Sequence, residues 1–175
     1  IPDSVTSIGD RAFEGGNWLE YNKYDNGLYL GNIQNKYLCL IKTKTTDITS
    51  CAINENCKFI HSMAFKGCHS LTSITIPDSV TSIGCWAFYN CSSLTSITIG
   101  KSVTSIGNQV FSYCRNLTNI IIPDSVTSIG YGVFSDCIRL TSITIGSGVT
   151  SIGSMAFNNC SSLTTVYYKG TQAEW

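Results

Sequence analysis

Charged residues are scarce in this chain, and neither sign of charge predominates. Of the 175 residues, 13% are charged, with 11 basic and 11 acidic side chains. Ordinary globular domains have roughly 25% charged residues. A domain that binds nucleic acid needs a concentrated basic surface, so the balance of charge argues against a nucleic-acid partner. Serine, threonine and asparagine supply most of the polarity instead.

Long apolar runs and paired catalytic residues are also missing. No apolar run approaches the roughly 18 residues that a membrane span requires, so we expect no membrane insertion by this segment. The two histidines, His61 and His69, have no cysteine, serine or carboxylate partner at a spacing that indicates catalysis. We therefore predict that the chain is not an enzyme and has no catalytic residues, no metal site and no cofactor.

Most of the chain consists of repeats of 23 residues. The row from Ile76 reads IPDSVTSIGCWAFYNCSSLTSIT, and equivalent rows begin at Ile53, Ile99, Ile122 and Ile145. We divide a single domain into coils of about 1–23, 24–52 with an insertion, 53–75, 76–98, 99–121, 122–144 and 145–167, and a partial coil, 168–175. Because the chain opens inside a repeat, we expect a fragment of a longer protein, so the missing export signal carries little weight.

Each row has the pattern of a leucine-rich-repeat coil. Residues 94–99 have the spacing L-x-x-I-x-I, whose alternation predicts a half-buried strand. Residues 103–107 predict a second short strand that ends with Gly107 in a positive-φ corner, and a short helical or 3₁₀ turn with Phe111 follows. One row cannot bury its own apolar side chains, so the rows must stack. We predict a mainly β repeat solenoid of the α/β type, with right-handed coils, a parallel sheet on the concave side, and short strands or 3₁₀ turns on the other.

These rows resemble the BspA-like leucine-rich-repeat family, whose 23-residue units read much like IPDSVTSIGxxAFxxCSSLTSIT. The resemblance implies a secreted or cell-surface protein of a host-associated microbe, which binds a protein or another cell-surface ligand in adhesion. The family has no catalytic motif to transfer. Gly16, at a cysteine position, and His61, at a corner glycine position, depart from the pattern. The alternative is a structural spacer with no ligand of its own, and the oligomeric state stays open.

Five of the nine cysteines recur every 23 residues, namely Cys68, Cys91, Cys114, Cys137 and Cys160. We expect a structural column of buried thiols. Parallel stacking does not bring the Cβ atoms into disulfide geometry, and zinc needs four converging ligands that a straight column cannot supply. A disulfide between Cys39 and Cys57 stays open, as does the role of Cys85.

Two surfaces are candidates for ligand binding. The first is the solvent side of the predicted sheet, with Ser96, Thr98, Asn119, Ile121, Ser142, Thr144 and Tyr167. The second is the inserted coil, with Tyr21, Tyr24, Tyr29 and Tyr37, in which residues 27–31 and 36–42 predict a hairpin. Its tyrosines either contact a ligand or pack around leucines that close the core.

Overall fold

The predicted mainly β repeat solenoid is confirmed. The computed structural model describes residues 1–2, 4–5, 8–9, 11–13 and 19–171. These residues contain thirteen strands and no helix, and thus no helix that could cross a membrane. Gly16 and residues 172–175 of the predicted first and last coils lie outside the described residues.

Twelve of the thirteen strands in the described residues have two to four residues, and one has five. They are β1 (Asn22–Tyr24), β2 (Gly27–Leu30), β3 (Cys39–Thr43), β4 (Phe59–Ile60), β5 (Ser73–Thr75), β6 (Ser82–Ile83), β7 (Ser96–Thr98), β8 (Ser105–Ile106), β9 (Asn119–Ile121), β10 (Ser128–Ile129), β11 (Ser142–Ile145), β12 (Ser151–Ile152) and β13 (Thr165–Tyr168).

Two strands from each repeat build two separate sides of the solenoid. The V-T-S-I segments (β6, β8, β10 and β12) form one side together with β1 to β4, in a sheet with the order β1-β2-β3-β4-β6-β8-β10-β12. The L-x-x-I-x-I segments form the other side, as β5-β7 and β13-β11-β9. From β4 onward the pairs are parallel, and equivalent residues of successive coils are partners, as with Ile129 and Ile152. Stacking therefore places every repeat position in a column.

The core consists of such columns of identical or similar side chains. The rings of successive phenylalanines stack with centroids 4.8 to 5.6 Å apart and planes within 17° of parallel. Phe65, Phe88, Phe111 and Phe134 have no exposed surface. Burying one such side chain contributes about 1.5–3 kcal/mol. A single coil leaves these rings exposed, so the stability of each coil depends on its neighbours.

The segment that carries the phenylalanine is a run of turns. The prediction of a helical or 3₁₀ turn there is wrong. Trp86 and Asn90 have φ values of 56° and 58°, in the left-handed region that interrupts a right-handed helix. Their amides donate to the next coil, to the carbonyls of Asn108 (2.9 Å) and Ser112 (2.8 Å). The amide of Tyr89, between them, bonds within its own coil, to Trp86 at 3.1 Å. Alternate amides thus connect one coil to the next.

In the stacked coils, the glycine after the V-T-S-I segment is required by a close approach of two coils. Contrary to expectation, neither Gly107 nor His61 has a positive φ. A Cβ on Gly107 would lie 2.8 Å from the backbone nitrogen of Cys85 in the preceding coil. A side chain fits at His61 because the irregular N-terminal residues surround it: its Nε2 lies 3.2 Å from the Gly9 carbonyl, and its ring centroid lies 5.6 Å from that of Phe13.

The described residues of the first row pack on an outer face of the solenoid instead of adding strands to it. The outer face of β3 and β4 carries a second apolar cluster, made of Leu38, Cys39, Ile41 and Phe59. Ile1, Ile8 and Phe13 of the first row pack against this cluster, and no described residue before Asn22 is in a strand. Phe59 pairs with Ser82 of the next coil, so an aromatic ring occupies a position that is polar elsewhere. The apolar outer face explains why the first row covers it.

The predicted hairpin is confirmed and closes one end of the core. Strands β2 and β3 pair antiparallel, with an irregularity between Leu28 and Tyr29, and β1 adds a third strand. Strand β3 also pairs parallel with β4, which joins the hairpin to the solenoid. Tyr29 lies fully buried in the core, where its hydroxyl accepts a hydrogen bond from the Asn54 amide at 3.2 Å.

Replacing Gly107 with alanine should destabilise the fold by about 1–3 kcal/mol, because the new methyl group meets backbone that cannot rotate away. The free energy of unfolding, measured by urea titration, tests this. Gly9→Ala is the matched control, since Gly9 occupies the same repeat position but a Cβ on it would have no atom within 4 Å. Equal unfolding midpoints for the two variants would contradict the close-approach explanation.

Candidate interaction surfaces

The five repeated cysteines form a column of hydrogen-bonded thiols in the core. Four of the thiols donate to the phenylalanine carbonyl of the preceding coil: Cys91 to Phe65 (3.1 Å), Cys114 to Phe88 (3.3 Å), Cys137 to Phe111 (3.1 Å) and Cys160 to Phe134 (3.0 Å). The Cys68 thiol lies 3.6 Å from the Thr43 hydroxyl. All nine cysteines are free, so Cys39 and Cys57 are not bridged. The column therefore connects coils through hydrogen bonds.

Burial makes these thiols poor nucleophiles. It raises the pKa of Cys160 to about 11 and that of Cys57 to about 12, and it raises the pKa of the fully buried Cys114 well above its ordinary value. The cause is desolvation, which disfavours the thiolate, and the thiolate is the reactive and metal-binding form. Within the described residues, no group of three or more histidine, cysteine, aspartate or glutamate side chains could hold a metal ion.

Two threonine columns use their hydroxyl groups to reinforce the backbone. Thr95 donates both its amide (2.9 Å) and its hydroxyl (3.0 Å) to the carbonyl of Thr72, one coil earlier. Thr104 makes the same pair of bonds to Thr81 on the other side of the solenoid. These hydroxyls are therefore engaged in the fold, although they are exposed, and they are poor candidates for ligand contacts.

The predicted sheet-face residues do lie together on the L-x-x-I-x-I side. Ser96, Thr98 and Asn119 are exposed, while Ser142 and Thr144 are half-buried. Ile121 and Tyr167 are each 60% exposed, and both are in register with Thr144, which lies between them on β11. We call Ile121, Thr144 and Tyr167 the sheet-face patch. It is a small apolar area on a surface of otherwise small polar side chains.

The four tyrosines of the inserted coil differ in their accessibility. Tyr29 is fully buried, which removes it from the ligand candidates, and Tyr37 packs edge-on against it with ring centroids 5.5 Å apart. Tyr24 is 39% exposed. Tyr21 is half-buried, with the Lys42 ammonium 5.3 Å from its ring centroid. Tyr29 and Tyr37 therefore fit the core-closing interpretation, while Tyr24 and Tyr21 retain access to solvent.

A groove of about 290 Å³ lies between the first row and the hairpin. It is lined by Arg11, Phe13, Tyr21, Ile41, Lys42, His61, Ser62 and Met63. Pockets for small molecules have volumes of about 300–1,000 Å³, so this groove is at the lower limit of that range. Of the predicted ligand residues, it includes Tyr21.

Sequence reasoning missed the exposed side chains of the turn segments. Tyr131 and Met155 are 44% and 59% exposed, and the Tyr131 hydroxyl lies 3.0 Å from the Met155 sulfur. Tyr89 and Tyr113 form a second pair, with ring centroids 5.4 Å apart. Each pair joins turns of successive coils. The sequence did contain a signal for these pairs, because large side chains recur at or next to the same turn position in successive rows.

Comparison with known proteins identifies close relatives of the repeat. The sequence profile of the BspA type leucine rich repeat region matches residues 41–164 in six copies. A leucine rich cell surface protein of Faecalibacterium prausnitzii is 35% identical, with a TM-score of 0.81 over 89% of this chain and 41% of its own. No protein of curated function matches.

Two further solved structures have the same fold. A leucine-rich repeat protein of Bacteroides ovatus is 33% identical, with a TM-score of 0.66 over 85% of this chain and 39% of its own. The leucine rich repeat protein of T. pallidum is 26% identical, with a TM-score of 0.75 over 84% of this chain and 71% of its own. The chain thus spans less than half of the F. prausnitzii and B. ovatus proteins.

Because of the buried thiols, the free energy of unfolding should decrease at alkaline pH. Thiols of the unfolded chain ionise near pH 8.5, whereas burial raises the pKa of Cys114 in the folded chain. Its stabilising contribution is therefore complete below about pH 8.5 and is lost as the pH rises above that value. Between about pH 9 and 10.5, the fall in unfolding free energy should be less steep for Cys114→Ala than for wild type, by about 1.4 kcal/mol per pH unit.

Urea unfolding at several pH values measures this slope. Val110→Ala is the matched control, because Val110 is equally buried in a neighbouring position and does not titrate. Its slope should equal that of wild type. A Cys114→Ala slope that also equals wild type would show that the thiol ionises as readily in the folded chain as in the unfolded one.

Proposed function

Because the chain belongs to the BspA-type leucine-rich-repeat family, we propose that it is a binding module of a secreted or cell-surface protein that acts in adhesion. The relative from F. prausnitzii is described as a cell surface protein, which supports the location. A repeat solenoid presents a long, rigid surface without a deep cleft, and such surfaces commonly serve as docking platforms for proteins.

The observation that carries this proposal is the sheet-face patch. Ile121 and Tyr167 expose 60% of their surface on strands on either side of Thr144. Other coils place small polar residues at the equivalent position, as with Thr75 and Thr98. Tyrosine is one of the residue types that most often dominate the binding energy at protein interfaces, and Ile121 adds apolar area beside it. The partner is therefore a protein with an apolar side chain that covers this patch.

The chemistry of the described residues supports binding rather than catalysis. The two ring nitrogens of His61 lie 3.1 and 3.2 Å from backbone carbonyls, so the ring is engaged in structural contacts. His69 lies 3.4 Å from the Ser92 hydroxyl on the exposed turns, but no carboxylate within the described part of the chain hydrogen-bonds to this histidine. A serine nucleophile requires a base that is itself oriented by a third group, and this pair lacks one.

A spacer is the second candidate function, and one observation favours it. The face formed by β5 and β7 carries only small neutral side chains, Ser73, Thr75, Ser96 and Thr98. Such a surface offers few contacts of high energy. In this function the stacked coils would hold other parts of a longer protein at a distance from a cell.

Binding of the purified chain to epithelial cells and to a panel of matrix proteins tests the proposal. The variant Ile121→Ser/Tyr167→Ser should bind about thirtyfold more weakly or worse, because contacts of this kind contribute about 2 kcal/mol or more. Ile33→Ser is the control, since Ile33 is 87% exposed but lies on the hairpin. Tyr21→Ser/Tyr24→Ser tests the hairpin separately.

Each outcome separates the two functions. Weaker binding by the sheet-face variant, with unchanged thermal unfolding and a normal Ile33→Ser control, would support the adhesion proposal. Undiminished binding by the sheet-face variant would refute the role of the patch. Absence of binding by the wild-type chain to every probe would favour the spacer.

A further inference from the structure

Three cations lie along the exposed turns that connect the two sides of the solenoid. Lys66, Arg115 and Arg139 are exposed, and none of them forms an ion pair within the described residues. Elsewhere, Asp78 and Asp124 neutralise Lys101 (3.1 Å) and Lys169 (3.5 Å). We call Lys66, Tyr89, Tyr113, Arg115, Asn116 and Arg139 the turn edge. Within the described residues, its positive charge therefore has no ion-pair partner.

Two of the cations are positioned by aromatic rings. The Lys66 ammonium lies 5.6 Å from the Tyr89 ring centroid, and the Arg115 guanidinium lies 5.4 Å from that of Tyr113. The two rings contact each other with centroids 5.4 Å apart. A cation over an aromatic face is held in place by the ring, while its remaining N–H groups can still donate to an anion. The four side chains form one continuous strip.

Hydrogen bonds extend the strip to the third cation. Arg139 donates through Nη1 to the Asn116 side-chain oxygen at 2.9 Å. The Asn116 side-chain Nδ2 in turn donates to the Ser92 carbonyl at 2.8 Å. Among the turn residues that the structure describes, Asp136 is the one acidic side chain, and its two oxygens accept hydrogen bonds from Asn159 (2.6 Å) and Ser135 (3.1 Å) rather than from Arg139. Arg139 is thus oriented by an amide oxygen and forms no ion pair with Asp136.

The spacing of the cations suits an extended anionic polymer. Lys66, Arg115 and Arg139 belong to coils 53–75, 99–121 and 122–144. Adjacent coils are about 4.8 Å apart, so the charges extend over about 14 Å along the solenoid axis. A polymer that crosses the four coils of residues 53–144 along the turn edge meets the three cations and the two tyrosine rings in turn.

The backbone of the turn edge is not available to a peptide strand. The amides of Gly67, Asn90 and Tyr113 donate to the next coil at 2.8 to 2.9 Å, so binding by strand addition, which needs unpaired backbone groups, has no support here. The accessible groups are guanidinium, ammonium, amide and aromatic side chains. Guanidinium groups bind carboxylate and similar oxyanions with charge-assisted hydrogen bonds, and aromatic faces pack on apolar faces of sugar rings.

We propose that the turn edge is a binding site for an acidic polysaccharide, a chain of sugars that carry carboxylate or sulfate groups. The site is separate from the sheet-face patch, since it uses turn side chains and the patch uses β9, β11 and β13. It gives the module a second ligand of a different chemical class.

Titration of the chain against immobilised heparin tests the proposal, with neutral dextran and poly-glutamate as comparison polymers. Lys66→Ser/Arg115→Ser/Arg139→Ser should bind heparin about tenfold more weakly or worse, because each cation contributes charge-assisted hydrogen bonds. Lys23→Ser/Lys44→Ser/Lys58→Ser is the matched control: it removes three exposed lysines outside the turn edge and changes the net charge equally. Its affinity for heparin should stay within about twofold of wild type.

A third variant, Tyr89→Ser/Tyr113→Ser, keeps every charge and removes the rings. It should also weaken heparin binding, which a purely electrostatic attraction would not predict. Equal losses in the turn-edge and control triple variants would overturn the proposal, since binding would then follow net charge alone. Binding to poly-glutamate as tight as to heparin would overturn it in favour of an acidic peptide, and absence of heparin binding by the wild-type chain would overturn it outright. Thermal unfolding of each variant verifies that the fold is intact.

Discussion

The contact between successive coils at the corner glycines leaves no room for a side chain. A Cβ on Gly84 or Gly130 would lie 2.5 to 2.7 Å from backbone or side-chain atoms of the preceding coil. Because the coils are held this close, every equivalent position stacks directly on itself. Phenylalanine rings lie parallel, thiols reach the carbonyl one coil back, and threonine hydroxyls double the backbone bonds. A bulky or irregular residue at any of these positions disturbs two neighbouring coils at once.

The same constraint determines where binding residues can occur. Inward positions must repeat, so chemical variation is confined to the outward positions of strands and turns. On the sheet side, Ile121 and Tyr167 stand where other coils have a threonine. On the turn side, the outward residues differ between coils and include Tyr113, Arg115 and Arg139. None of these side chains contributes to the stacked core. The surfaces proposed for binding are thus the positions at which the repeat tolerates difference at little cost in stability.

The 23-residue periodicity made the solenoid fold and its core-facing side chains predictable from the sequence. Alternation in residues 94–99 and recurrence of Cys114 every 23 residues indicate which side chains face the core. Periodicity carries no information on the distance to the next coil, which is why the role of Gly107 was misassigned. It also did not predict the left-handed turn residues such as Trp86, or the docking of Ile8 on an outer face that Phe59 makes apolar. Tyr29 could not be assigned to either face, because the irregularity after Leu28 changes the alternation of the hairpin.

Equal numbers of acidic and basic residues conceal a local separation of charge. Asp78 and Asp124 are paired with lysines, whereas the cations of the turn edge have no such partner in the described part of the chain. At physiological salt, charges more than about 8 Å apart are largely screened, so a distant acidic residue does not neutralise the turn edge. Affinity at that edge must therefore fall as salt is added, while burial of the Ile121 and Tyr167 side chains is little affected by salt. Salt dependence thus distinguishes the two surfaces physically, because one binds through unneutralised charge and the other through apolar area.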